Sequence, residues 1–85
     1  MYLEIIAPDK IFFKGEAEKI SVPGMLGQFA ILNGHAAIVS ILKKGRITYF
    51  VDNEEKHFDI ISGIVEVKAN NVIVCVDKRN EASQL

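Results

Sequence analysis

Residues 64–76 read Ile-Val-Glu-Val-Lys-Ala-Asn-Asn-Val-Ile-Val-Cys-Val and contain the clearest strand pattern of the chain. Val65 and Val67 alternate with charged neighbours, and side chains that alternate in this way lie on opposite faces of a β-strand. Asn tolerates the left-handed backbone of a tight turn, so Asn70-Asn71 predicts a hairpin. The run that follows, residues 72–76, is apolar on both faces. It predicts a strand that is covered on both sides or presents one face to a partner.

The rest of the chain repeats this alternation of short apolar segments and turn-forming residues. The candidate strands are Tyr2–Ala7, Ile11–Lys14, Glu16–Val22, Gln28–Leu32, Ala36–Leu42, Ile47–Val51, His57–Ile61, Ile64–Lys68 and Val72–Val76. The segment 36–42 is ambiguous, since it could contain a helical turn or divide to give a tenth strand. Strands of about five residues with frequent turn signals are typical of an all-β sandwich or barrel.

The length of 85 residues allows one domain and is too short for two. We place this domain at residues 1–77 and expect residues 78–85 to form a polar, frayed tail. A formal net charge of −1 gives no support to nucleic-acid binding, which needs a basic excess on one face. Cys75 is the single cysteine, so no intrachain disulfide can form.

Membrane insertion and secretion have no support in the sequence. No apolar run approaches the roughly 18–20 residues that span a bilayer, and the first residues lack the basic start and apolar core of a signal peptide. We therefore expect a soluble protein that acts where it is made, as in a bacterial cytoplasm.

The histidines offer little chemistry. His35, His57 and Cys75 do not have the spacing of metal ligands, so we predict no metal site and no cofactor. A Ser–His–acid set can be assembled on paper from His35, but no G-x-S-x-G elbow supports it, and a triad is recognised by its geometry. We interpret His35 as a loop residue that bonds to backbone or to a partner, and His57 as part of a solvated strand.

Three sequence blocks occur in a characteristic order. Residues 7–16 read Ala-Pro-Asp-Lys-Ile-Phe-Phe-Lys-Gly-Glu, and residues 23–37 read Pro-Gly-Met-Leu-Gly-Gln-Phe-Ala-Ile-Leu-Asn-Gly-His-Ala-Ala. Residues 62–67 read Ser-Gly-Ile-Val-Glu-Val and lead into the last strand. These blocks resemble T-P-D-K-x-x-F-x-G-E, P-G-x-x-G-[ED]-[FL]-G-I-L-P-x-H-A-P and G-G-x-x-E-V, the patterns of the epsilon subunits of F-type ATP synthases. The resemblance covers residues 2–77, and its order and spacing make it specific.

The chain departs from the family pattern at several positions. Gln28 replaces an acid, Ala30 and Ser62 replace glycines, and Asn33 and Ala37 replace prolines. The change at position 28 matters most, because a neutral amide can form a hydrogen bond but not a salt bridge.

The resemblance implies a flattened sandwich or barrel of about ten short strands in two sheets, which most members follow with a carboxy-terminal helical hairpin. Residues 78–85 are too few for that hairpin, since one isolated helix needs about 12–15 residues. We therefore expect a chain that lacks the hairpin and cannot inhibit ATP hydrolysis by extending it.

The resemblance also implies a non-catalytic subunit of the central stalk that links the gamma subunit to the membrane c-ring and couples ion translocation to ATP synthesis. It would lie on the cytoplasmic face of the bacterial cell membrane without inserting into the bilayer. The residues expected to contact gamma are Ala7, His35 and Ser40. The residues expected in a loop that faces the c-ring are Gly27, Gln28 and Phe29, of which Phe29 is equally compatible with the core.

Two other functions remain open at this point. A stand-alone all-β ligand-binding or adaptor module would show a concave apolar pocket and no affinity for gamma. A small hydrolase would show perturbed chemistry at His35.

Overall fold

The computed structural model describes residues 1–77, which form nine β-strands and contain no helix. The strands are β1 (Tyr2–Ala7), β2 (Lys10–Glu16), β3 (Glu18–Gly24), β4 (Gly27–Ile31), β5 (Ile38–Leu42), β6 (Gly45–Val51), β7 (Glu54–Ile60), β8 (Ser62–Lys68) and β9 (Asn71–Asp77). The predicted tail, residues 78–85, lies outside the described residues.

Each of the nine candidate segments overlaps one of these strands, so the all-β prediction is confirmed. The ambiguous segment 36–42 contains the single strand β5 without a helical turn, and no tenth strand occurs among residues 1–77. The β8–β9 turn consists of Ala69 and Asn70 rather than of the predicted Asn70-Asn71, because Lys68 pairs with Asn71 across the hairpin. Both turn residues have positive φ, 50° and 64°, as a type I′ turn requires.

The strands form two layers. One layer has five strands in the order β2-β1-β9-β8-β5, in which β1 and β9 run parallel, and the other has four strands in the order β4-β3-β6-β7. A single residue pair, Gly24 with Leu42, joins β3 to β5 and connects the layers into one curled sheet. The predicted sandwich is therefore present, with five strands in one layer and four in the other, joined where β5 meets β3.

Alternation along the strands fills the space between the two layers. In β9 the valines at 72, 74 and 76 are buried, whereas Ile73 is half-buried and Cys75 is exposed. The continuous apolar run in this strand thus serves one core face and one outer face. The buried core consists of Leu3, Ile5, Ala17, Ile20, Val22, Ile31, Leu42, Ile47, Tyr49, Ile60, Val65, Val67, Val72, Val74 and Val76. Burying each aliphatic side chain of this size contributes about 1.5–3 kcal/mol.

Two aromatic pairs close the sandwich at the β2 side. A register shift in β1 between Ile5 and Ile6 lets two consecutive residues of β2, Phe12 and Phe13, pack against the core. Phe12 meets Phe58 of β7 with ring centroids 4.8 Å apart, and Phe13 meets Tyr49 of β6 at 4.9 Å. Because the Tyr49 phenol is taken out of water here, its burial raises the pKa of Tyr49.

Candidate functional surfaces

The outer face of the five-stranded layer carries a row of apolar side chains. Strand register places one residue of each strand opposite the next, in the order Ile11, Ile6, Cys75, Ile64 and Ile41. We call these five residues the apolar band. Three of its four isoleucines are exposed, with 61% of Ile11, 48% of Ile64 and 61% of Ile41 accessible. Four interstrand spacings of about 4.8 Å make the band about 19 Å long.

The band continues into the β3–β4 hairpin. The backbone amide of Met25 donates a hydrogen bond to the carbonyl oxygen of Ile41 (3.1 Å), so the hairpin tip lies next to the last residue of the band. The tip consists of Met25 and Leu26, which are 57% and 105% exposed. The outer surface therefore presents an apolar path from β2 to the hairpin tip.

Gly27, Gln28 and Phe29 do not form a loop, which corrects the local structure that the resemblance implied. They begin β4 and pair with residues 24, 23 and 22 of β3. The two-residue tip and the positive φ of Gly27 (134°) let the chain reverse at once. Alternation then leaves Gln28 exposed, while Phe29 is half-buried and packs against the core. The apolar tip is a surface feature that the sequence analysis did not predict. Its two residues, Met25 and Leu26, lie between Gly24 and Gly27, and these glycines were the available signal of a tight turn.

The residues expected to contact gamma do not form one cluster. Ala7 is the last residue of β1 and lies at the end of the layer that is next to the β3–β4 tip. His35 lies in the connection before β5, which contacts the β8–β9 turn at the opposite end. Ser40 lies between them in β5, opposite Val65, and is half-buried. Tyr2, at the other end of β1, lies beside the β8–β9 turn. A partner that touches Ala7 and His35 must therefore span the length of β1, which is five residue steps of about 3.3 Å, or about 17 Å.

The His35 ring is held by the backbone of the next residue. Its Nδ1 lies 2.7 Å from the carbonyl oxygen of Ala36, and a carbonyl only accepts, so Nδ1 carries the proton and donates it. In the neutral ring, Nε2 is then the acceptor that can receive a hydrogen bond from a partner. The prediction of a loop histidine bonded to backbone is confirmed.

The outer face of the four-stranded layer is polar. Arg46 of β6 donates through Nε and Nη2 to the Asp59 carboxylate at 2.7 and 3.3 Å, and this hydrogen bond and the carboxylate charge raise the pKa of Arg46. Next to this pair, Thr48 Oγ1 lies 3.3 Å from His57 Nδ1, and His57 Nε2 lies 3.1 Å from Glu55. The prediction of His57 on a solvated strand is confirmed.

A nucleophile–base–acid set is present in composition, with Thr48, His57 and Glu55. These side chains form a row on the outer face of the adjacent strands β6 and β7. Side chains stand out from a sheet surface, where water reaches all three groups. A working nucleophile needs a positioned base and a sheltered site for the reacting atom as well. The row is therefore an ordinary cross-strand polar contact.

A groove of about 440 Å³ lies on the outer face of the five-stranded layer, beside the apolar band. Its lining includes Tyr2, Glu4, Glu66, Lys68 and Ile73. The mixture of carboxylates and an ammonium group differs from the apolar pocket expected of a ligand-binding module. Within residues 1–77, no three His, Cys, Asp or Glu side chains lie close enough to hold a metal ion, and no helix could cross a membrane.

These features define a small all-β sandwich domain with one polar outer face and one outer face that carries the apolar band beside a charged groove. The chain belongs to the ATP synthase delta/epsilon chain family, whose β-sandwich domain matches residues 1–82.

Similar proteins are ATP synthase epsilon chains. An ATP synthase epsilon chain of Chlorobaculum tepidum is 36% identical over 77 residues, which are 89% of this chain and 88% of the relative. One of Chlorobium limicola is 37% identical over 76 residues, 88% of this chain and 86% of the relative. One of Rhodopseudomonas palustris strain BisA53 is 27% identical over 84 residues. The match to this third relative covers 99% of the present chain but only 62% of the relative.

Solved structures show the same fold. A chain in the central stalk and c-ring structure of the Tetrahymena thermophila mitochondrial ATP synthase superposes with a TM-score of 0.78 at 22% identity, covering 92% of this chain and 63% of that one. A chain in the Euglena gracilis mitochondrial ATP synthase superposes with a TM-score of 0.81 at 17% identity, covering 96% and 58%. At these identities the likeness concerns the fold alone.

Proposed function

We propose that this chain is a non-catalytic rotor subunit that links the gamma subunit of an F-type ATP synthase to its c-ring and couples ion translocation to ATP synthesis. It acts as a rigid body with adhesive surfaces. Close packing of an aliphatic core between hydrogen-bonded sheets supplies the stiffness that torque transfer needs. In this assembly it lies on the cytoplasmic face of the bacterial cell membrane, outside the bilayer.

The exposed apolar band is the observation that carries the proposal. Five apolar residues stand in one row on one outer face, while the other outer face carries charged and polar ladders. Contiguous exposed apolar surface that is rimmed by polar residues marks a site of protein contact. The band would bury against gamma, and its continuation at Met25 and Leu26 would lie near the c-ring together with Gln28.

The two other functions fit these surfaces less well. A hydrolase would need His35 Nδ1 to meet a carboxylate that orients the ring, whereas this atom donates to a backbone carbonyl. A ligand-binding module would need an enclosed apolar site, whereas the groove beside the band is open to solvent and carries Glu4, Glu66 and Lys68 among its apolar side chains.

Calorimetry with the recombinant gamma subunit of the same ATP synthase tests the proposal. The wild-type chain should bind, and Ile64→Asp should weaken binding at least tenfold, about 1.4 kcal/mol, because it places a charge in the centre of a desolvated contact. Since Ile64 points outward on β8, this substitution should leave the fold intact.

Asn53→Asp is the matched control. It adds the same charge at an exposed turn of the other layer, and Asp tolerates the positive φ of 65° there. This variant should bind gamma like the wild type. If the wild-type chain fails to bind gamma, or if both variants bind equally well, the proposal is wrong.

A further inference from the structure

A tight turn positions His35. The backbone amide of His35 donates to the carbonyl oxygen of Leu32 at 3.0 Å, which closes a four-residue turn with Asn33 and Gly34 at its centre. Gly34 has φ of +84°, the value that the third residue of a type II turn adopts. The amide of Gly34 is not part of this closing bond, so it is available to a group outside the turn.

Asn70, which lies 36 residues further along the chain, accepts the hydrogen bond of this amide. Its side-chain oxygen Oδ1 accepts a hydrogen bond from the Gly34 amide at 2.8 Å. The same residue is held in place by a second bond, because the amide of Tyr2 donates to its carbonyl oxygen at 2.9 Å. Asn70 is also the third residue of the type I′ turn between β8 and β9, with φ of 64°. One residue thus joins the β8–β9 turn, the start of β1 and the His35 turn.

We propose that Asn70 is a positioning residue for His35. Its side chain fixes the Leu32–His35 turn against the rigid end of the five-stranded layer, and this holds the imidazole ring where its Nε2 can accept a hydrogen bond from the gamma subunit. The proposal rests on the proposed function for the identity of the partner. The positioning itself rests on the bond between Asn70 and Gly34 and does not depend on the identity of the partner.

The backbone conformation provides a way to separate this bond from the turn that carries it. Glycine adopts positive φ without strain, so Asn70→Gly keeps the type I′ turn and removes only the side-chain acceptor. Asn70→Asp keeps an oxygen acceptor and a residue that tolerates this backbone. Asn53→Gly is a matched control, because Asn53 holds the equivalent position of the β6–β7 turn with φ of 65°.

The experiment uses the full chain with three readouts. Hydrogen exchange of the Gly34 amide reports the bond, nitrogen chemical shifts of the His35 ring report the tautomer, and calorimetry with gamma reports binding. In Asn70→Gly we expect faster Gly34 exchange, a tautomer mixture in place of the Nδ1-protonated ring, and about three- to tenfold weaker binding, the effect of one lost hydrogen bond. Asn70→Asp should restore all three, and Asn53→Gly should change none.

The outcomes test the positioning of His35 and its role in gamma recognition separately. Unchanged Gly34 exchange in Asn70→Gly would overturn the positioning role. Faster exchange with unchanged affinity for gamma would show that His35 placement does not serve recognition, and would overturn that part. A wild-type chain without affinity for gamma would overturn the proposed function and the recognition part together, while the exchange and tautomer readouts still decide the positioning part.

Discussion

The ring of Phe29 packs directly over Gly24 across the β3–β4 hairpin. A Cβ atom at position 24 would come within 2.8 Å of the ring atom Cε1 of Phe29 and within 2.8 Å of the carbonyl oxygen of Gly27. Gly24 also forms the single pair that joins the two layers, with Leu42. This glycine therefore permits a close approach at the point where the sheet curls, next to the apolar hairpin tip.

Gly24→Ala should destabilise the chain by about 1–3 kcal/mol, because an added methyl group in a closely packed site forces neighbouring groups to move. Gly15→Ala is the matched control in another strand, since its Cβ would meet only the Phe13 ring at an ordinary 3.5 Å. Its free energy of unfolding should stay within about 0.5 kcal/mol of the wild type. Urea unfolding measures both, and equal losses in the two variants would contradict the close approach.

Ala69→Asn should stabilise the chain by about 0.5–1 kcal/mol. Ala69 has φ of 50° in the β8–β9 turn, a left-handed conformation that costs an L-residue with a Cβ roughly 1–2 kcal/mol. Asn adopts this conformation more readily and is favoured in type I′ turns. Thermal unfolding should show a raised midpoint for this variant. Ala30→Asn, in the extended strand β4, should give no such increase, and a similar gain there would argue against the turn as the cause.

The strands were predictable because local pattern determines them. The bounds of β1 in the structure are those predicted from the sequence, Tyr2–Ala7, and the alternation of β8 places Val65 and Val67 in the core. The consecutive phenylalanines of β2 break this alternation and both pack against the core, because a bulge in the pairing with β1 turns them to the same side.

The surfaces were not predictable, because they depend on strand register between distant segments. Ile6 and Cys75 are neighbours in the apolar band only through the parallel pairing of β1 with β9. Likewise, Asn70 meets Gly34 only because the end of the β8–β9 hairpin lies beside the connection before β5. A single sequence contains no local signal for either contact, since a one-residue change of register would move each side chain to the other face.

Stability should decrease at high pH because of Tyr49. Burial raises its pKa, so the folded chain holds the phenolic proton more tightly than the unfolded chain. This stabilisation is fully present below the ordinary tyrosine pKa of about 10 and is lost as the pH rises through the raised folded pKa. Tyr49→Phe keeps the ring that packs on Phe13 and removes the titrating group. Urea unfolding at neutral and strongly alkaline pH should show a smaller alkaline loss in this variant, and an equal loss would exclude Tyr49 as its source.

Leu26→Ser should weaken attachment to the c-ring without changing stability. Leu26 is 105% exposed at the β3–β4 tip, so its replacement should alter the free energy of unfolding by no more than about 0.5 kcal/mol. If the tip packs on the c-ring as proposed, the loss of its apolar side chain should reduce the fraction of this subunit that co-purifies with solubilised rotor rings.

The same contact should depend little on salt. Met25, Leu26 and Gln28 carry no charge, and screening by ions weakens only charged contacts. Gln28→Glu restores the acid usual at this position and, where the c-ring loops present a cation, should make attachment tighter at low salt and more salt-sensitive. Co-purification of the wild type and both variants at low and high salt measures this. A wild-type attachment that high salt abolishes would show that charges elsewhere on the chain, rather than the apolar tip, hold it to the ring.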